Sequence, residues 1–219
     1  MDATLEQIRQ ARIVAVIRAP SKECLLPLAE ALLTGGVRCL EVTMSTPDAL
    51  QGISELWREF GDQAILGIGT VLDPSLCDPA ADAGAAFVVS PIFNSEIVQA
   101  TKQAGLLSIP GAFTPTEIFR AWREGADVVK VFPSTSLGPS YFRDLLAPMP
   151  ELRLMPTGGV DVGNAAKWFE AGAIAVGAGS SLIPLDVVNR SAWDELASCA
   201  RHFCQACAAS FHRQTENVS

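Results

Sequence analysis

"TPTEIFRAWREGADVVKVFPS", residues 114–134, contains one full period of the pattern that organises this chain. Thr114-Pro115-Thr116-Glu117 reads as a helix start, with a hydroxyl at the cap, proline at the first helical position and glutamate three residues on. A segment of helical length follows and stops at Gly125, where a residue without Cβ can take the left-handed conformation that ends helices. Val128, Val129, Val131 and Phe132 then read as a strand, broken only by Lys130.

The same period extends in both directions. Apolar runs rich in valine and isoleucine recur at 13–18, 39–44, 64–71, 87–91, 106–112, 128–133, 153–159 and 173–180, separated by segments of helical length. Gly84, Gly105 and Gly172 repeat the position of Gly125, and Thr46-Pro47 and Asp73-Pro74 repeat the start signal. Eight strand–helix units predict an α/β protein, a single (β/α)8 TIM barrel over residues 1–219 with a C-terminal helix at about 191–213. The alternative is a doubly wound open sheet. Polar residues at the C-terminal ends of many runs favour the barrel: Arg18, Glu41, Thr43, Thr70, Ser90, Lys130, Thr157 and Ser180. Barrel active sites are assembled at that rim.

The composition, 49% apolar and 18% charged over 219 residues, is that of a globular domain with a large core. A net charge of −8 argues against a nucleic-acid or anionic-membrane surface, while leaving room for a local anion site. "MDATLEQIRQ" lacks the apolar run of a signal peptide, and "AGAIAVGAGSSLIPL" (171–185) is too short and glycine-rich to span a membrane, so a cytoplasmic location is expected. Cys199, Cys204 and Cys207 have part of the spacing of an iron–sulfur ligand run, but no fourth cysteine follows and the stretch reads as a helix. His202 and His212, the only histidines, fall in the same stretch, so zinc and Ser-His-Asp readings find no support. No metal and no cofactor is expected.

Lys130 is the residue the pattern does not absorb. Lys22, Lys102 and Lys167 lie in polar, helix-like segments, whereas Lys130 sits inside an apolar strand. A buried, unpaired ammonium costs several kcal/mol or gives up its proton, and a neutral lysine is a nucleophile. Glu41 is the other ionisable group within an apolar run, sharing a strand face with Thr43. One reading is a structural Lys–Glu pair. The other is a Schiff-base enzyme in which Lys130 attacks a carbonyl and Glu41 shuttles protons. Arg18 and Thr70, at the ends of the first and third runs, are available for a substrate carboxylate. "PTGGV" (156–160) and "GAGS" (177–180) close the seventh and eighth runs, where barrels recurrently bind phosphate through glycine-rich backbone.

"LEVTMSTPDA" (40–49), "GIGTVLDP" (67–74), "VVKVFPS" (128–134), "PTGGV" and "AVGAGSSL" (175–182) occur in that order over most of the chain. Together they resemble the class I bacterial aldolases that act on 2-keto-3-deoxy-6-phosphogluconate and 4-hydroxy-2-oxoglutarate. The resemblance implies a homotrimer, no metal, a phosphorylated 2-keto acid substrate and pyruvate as a product. It implies Lys130 as the Schiff-base lysine and Glu41 as general acid/base, with Arg18, Thr70 and Thr157 at the keto-acid end. Gly158, Gly159, Gly179 and Ser180 would hold the distal phosphate, and Phe132, Pro110 and Ser45 would wall the pocket. Ser45 is a departure, since well-known members carry arginine there and the 6-phosphogalactonate branch is similar to this chain in having a small polar residue. Two other readings stay open at this point. One is a phosphate-binding barrel isomerase or synthase using Lys130 as a non-covalent clamp. The other is a phosphosugar-binding barrel without catalysis.

Overall fold

The computed structural model describes residues 3–216, with side chains described as far as Ala208. Its strands are β1 (Ile13–Ile17), β2 (Cys39–Thr43), β3 (Ile65–Gly69), β4 (Phe87–Val89), β5 (Leu107–Ile109), β6 (Gly111–Ala112), β7 (Val129–Val131), β8 (Leu154–Pro156) and β9 (Val176–Ala178). Each of the eight apolar runs contains a strand. The fifth is cut in two at Pro110, which has no N–H to give to a ladder. All pairings are parallel, in a six-stranded order β5-β4-β3-β2-β1-β9 and a three-stranded order β6-β7-β8. The protein is α/β, with a curled parallel sheet. Hydrogen bonding continues across the gaps between the two sets: Asp127 N–H, just before β7, donates to Ser108 C=O of β5 at 2.9 Å, Ile174 N–H donates to Leu154 C=O at 3.1 Å, and Thr157 bridges Gly177.

Helices separate the strands: α1 (Ala3–Ala11), α2 (Leu25–Thr34), α3 (Ala49–Phe60), α4 (Cys77–Asp82), α5 (Ser95–Gln103), α6 (Pro115–Arg123), α7 (Ser140–Leu146), α8 (Ala165–Glu170), α9 (Leu185–Asn189) and α10 (Trp193–Glu216). Their apolar faces pack on one face of the sheet, in a cluster that includes Leu28, Leu40, Ile53, Ile68, Phe142 and Phe203. The opposite face is buried too. Val14, Cys39, Phe87, Val89, Leu107, Ile109, Val128, Met155 and Ala175 form a second cluster, joined by Leu5 and Ile8 of α1. A sheet buried on both faces reads as continuous apolar sequence, which is why the runs show little alternation. None of the described helices is long and apolar enough to cross a membrane.

The punctuation behaves as chemistry demands at most junctions. Gly84, Gly105, Gly125 and Gly172 all take positive φ, from 75° to 103°. At α6 the Thr114 hydroxyl accepts from Glu117 N–H at 3.3 Å, while the Glu117 carboxylate accepts from the Thr114 and Phe113 amides at 2.8 and 3.0 Å. Thr114→Ala is therefore expected to cost about 1 kcal/mol of stability, the usual worth of an N-cap, as read by urea denaturation. Asp73 caps the short turn before α4 by accepting from Ser75 N–H at 2.9 Å. The Thr46-Pro47 signal is overturned. Asp48 occupies the cap of α3 in the left-handed conformation, and the Thr46 hydroxyl accepts instead from Ala19 N–H at 3.1 Å, tying the loop after β2 to the end of β1.

Candidate active site

Strand pairing brings the two anomalous residues together. Glu41 lies mid-strand in β2 beside β1 and β3, while Lys130 lies mid-strand in β7 beside β6 and β8. Their side chains meet with Lys130 Nζ 3.8 Å from Glu41 Oε1, at 4% and 0% exposure. The other amines described as paired are surface groups: Lys22 meets Glu55 at 2.9 Å and Lys102 meets Asp127 at 2.7 Å.

The geometry is not that of a structural salt bridge. A charge-assisted N–H···O bond is short, about 2.7–2.9 Å, and 3.8 Å lies outside hydrogen-bond range. Both Glu41 oxygens are buried and without a hydrogen-bond partner. A buried ion pair stabilises only when its remaining lone pairs are satisfied. Burial pushes the Glu41 carboxyl above the ordinary glutamate range, with Lys130 and then Arg18 pulling it partly back. A carboxyl with an upward-shifted pKa and free lone pairs beside an amine is arranged to exchange a proton with a third group.

A cavity of about 190 Å³ is lined by neighbours of this pair in the strand order, though not by Lys130 or Glu41 themselves. It brings together Arg18, Phe132, Thr157, Gly158, Gly159, Gly179 and Ser180, seven of the residues singled out in the sequence. Phe132 links the pair to this cavity, since it lines the cavity and its ring centroid sits 5.3 Å from Lys130 Nζ. Thr157 contributes a buried hydroxyl that has no partner. Two side-chain hydrogen bonds fix the backbone of the glycine loop. Asn164 Nδ2 donates to Gly159 C=O at 2.7 Å, and Ser181 Oγ donates to Val160 C=O at 2.6 Å. Gly158 and Gly159 both need positive φ, 89° and 73°. The amides of Gly158, Gly159, Gly179 and Ser180 donate to no group among the described residues. Four residues with unclaimed N–H groups therefore line one cavity, a composition suited to an anion.

Three sequence-selected residues stand elsewhere. Thr70 follows β3 at φ 61°, an unusual conformation for a β-branched residue, and does not line the cavity. Pro110 is buried in the strand, where its carbonyl anchors the Lys130 amide, so it acts on the lysine through the backbone rather than as a wall. Ser45 lines a separate concavity formed by the loop after β2. Its hydroxyl is 2.7 Å from Thr43 Oγ1, which donates to Ile17 C=O at 2.9 Å. Ser45 is thus linked to the end of β1 next to Arg18, but not to the cavity.

The family model for KDPG and KHG aldolase matches residues 5–199. The chain belongs to that family. It is 35% identical over 206 residues to the 2-dehydro-3-deoxy-phosphogluconate aldolase of Treponema pallidum, an alignment covering 94% of this chain and 98% of the relative. It is also 33% identical over 171 residues to the 2-dehydro-3-deoxy-6-phosphogalactonate aldolase of Escherichia coli, covering 78% and 83%. Among solved structures, the KDPG aldolase of Legionella pneumophila with pyruvate captured as a covalent carbinolamine superposes at TM-score 0.82 and 28% identity, covering 91% of this chain and 97% of that one. Membership makes the chain an aldehyde-lyase.

The sequence reading missed residues of this aldolase that work by having no side chain. A Cβ on Gly177 would overlap Thr157 Oγ1. In β3, a Cβ on Gly67 would overlap the Phe87 ring, and one on Gly69 would overlap Glu41. The i, i+2 spacing in "GIG" put Gly67 and Gly69 on one strand face and was a readable signal. What each faces was not readable.

Proposed function

We propose that the protein is a class I aldolase that cleaves 2-keto-3-deoxy-6-phosphogluconate, its galactonate epimer or 4-hydroxy-2-oxoglutarate through a Schiff base on Lys130. The observation that carries this assignment is the buried Lys130–Glu41 pair, 3.8 Å apart with both carboxylate oxygens unclaimed. The Lys130 amine attacks the C2 carbonyl, and loss of water gives an iminium that draws electrons from the C3–C4 bond. Glu41 takes the C4 hydroxyl proton, directly or through water. The C3–C4 bond breaks, an aldehyde leaves, and the enamine takes a proton at C3. Hydrolysis then releases pyruvate and restores the amine. One carboxyl with a raised pKa serves both proton transfers.

Arg18, Thr157 and Thr70 receive the keto-acid end in this assignment, and the four free amides of the glycine loops receive the phosphate. Support for Thr70 comes from its backbone, because a strained φ at a β-branched residue is characteristic of functional positions. Thr70→Gly is expected to keep its melting temperature, relief of that strain offsetting the added chain entropy, while KM for the keto acid rises. A lowered melting temperature with an unchanged KM would remove Thr70 from the site.

The assignment extends to the architecture: β5 and β6 count as one strand, and the two sheets form one closed eight-stranded barrel in a single domain. Supporting this are the hydrogen bonds of Asp127 to Ser108 and of Ile174 to Leu154, and the Thr157–Gly177 bridge. A homotrimer completes it. Exposed Ile92 and Phe113 border a concavity that shares Phe132 with the active-site cavity, an apolar surface suited to contact with another copy. Light scattering during gel filtration checks the mass. The substrate is tested by a coupled pyruvate-release assay with both phosphorylated C4 epimers and the non-phosphorylated hydroxyoxoglutarate. Turnover of at least one is required, and release of pyruvate from none would defeat the proposal.

A further inference from the structure

We infer that Gly69 is a positioning residue, which holds the Glu41 carboxyl beside Lys130 by leaving empty the volume its own side chain would fill. The inference rests on the aldolase reading above and goes beyond it by assigning part of the acid–base geometry to a strand that carries no ionisable group. Gly69 pairs with Thr43 in the β2–β3 ladder, two residues along from the pairing of Gly67 with Glu41. A Cβ at position 69 would overlap Glu41 Oε1 and lie 2.6 Å from both Cγ and Cδ. Carbon atoms pack at about 3.5–4.0 Å, so three atoms of the glutamate would have to move together.

Two further facts isolate the cause. Gly69 is not among the residues with positive φ, so its backbone would accept alanine; the obstacle to a methyl group is the carboxyl itself. Glu41 is also fully buried and belongs to a strand paired on both sides, so it cannot relieve the clash by swinging into water. Displacement must instead shift the carboxyl within the core and so change its 3.8 Å separation from Lys130 Nζ. Gly67 supplies a contrast within the same strand, since its missing side chain makes room for the Phe87 ring and not for a titrating group.

The test is a double-mutant cycle of wild type, Gly69→Ala, Glu41→Gln and the double variant, with kcat, KM, pH profile and borohydride trapping of pyruvate on Lys130 measured for each. Gly69→Ala should lower kcat by about 10²-fold, the cost of misplacing a catalytic group by roughly 1 Å. KM should stay nearly unchanged, trapping on Lys130 should persist, and the acid limb of the pH profile should move. Glu41→Gln/Gly69→Ala should be no slower than Glu41→Gln, because the two changes act through one carboxyl. Wild-type kcat in Gly69→Ala would overturn the inference, as would an equal further loss in the Glu41→Gln background. If Gly69→Ala does not yield soluble protein, Glu41→Ala/Gly69→Ala decides. Recovery of soluble protein on removing the carboxyl supports the inference, and failure to recover overturns it. Full activity in Glu41→Gln alone would instead bring down the acid–base reading on which the inference stands.

Discussion

Lys130→Arg should abolish aldol cleavage, lowering kcat on the order of 10⁴-fold or more, the scale of losing a covalent nucleophile. Arginine keeps the positive charge and most of the length but forms no imine under these conditions. This separates the covalent mechanism from a clamp that needs only a cation near the substrate. In β7 the change is made at a buried position, 4% exposed, where the amine lies 5.3 Å from the Phe132 ring centroid and 3.8 Å from Glu41 Oε1. Arginine there still faces a carboxylate, so loss of activity without unfolding is the expected result, checked by circular dichroism alongside the pyruvate-release assay. Substantial turnover in Lys130→Arg would return the protein to the isomerase or synthase class that the sequence alone left open.

Glu41→Gln should slow turnover by roughly 10²–10⁴-fold, the usual contribution of a positioned general acid–base group, while pyruvate is still trapped on Lys130. The two variants thus dissociate imine formation from proton transfer. The pH profile adds a second readout with a definite sign. Burial raises the Glu41 pKa, and the cleavage step requires the ionised carboxylate as base. Activity of the wild type should therefore fall as pH drops through a value above the ordinary glutamate range, and that limb should flatten in Glu41→Gln. Near-normal turnover in the variant would take Glu41 out of the mechanism.

The parts of this site that were legible in the sequence are those that violate their surroundings. Lys130 and Glu41 stand out because charged groups are costly inside apolar strands, and chemistry is a frequent reason for retaining them. The glycines at 125 and 172 and the capping box at Thr114 were legible because their cause is local: a left-handed backbone and a hydroxyl three residues from its donor. Where the partner is remote in sequence, reading failed. Thr46 shares the Thr-Pro pair of Thr114, though with Ala49 in place of the glutamate three residues on, and a donor 27 residues away, Ala19 N–H, claims its hydroxyl. Ser45 was placed in the pocket by resemblance, but the Thr43 hydroxyl holds it on the loop side of β2. Pro110 interrupts the fifth strand and anchors the Lys130 amide, a pairing that only the register between neighbouring strands could reveal. Gly69 is the limiting case, because what it contributes is a void whose occupant comes from a different strand.

The account stands or falls on the identity of one nucleophile, and borohydride reduction in the presence of pyruvate, followed by peptide mass mapping, tests it most directly. The prediction is one pyruvate-derived adduct per chain, on the peptide containing Lys130. An unlabelled protein, or an adduct on Lys22, Lys102 or Lys167 in its place, would contradict it.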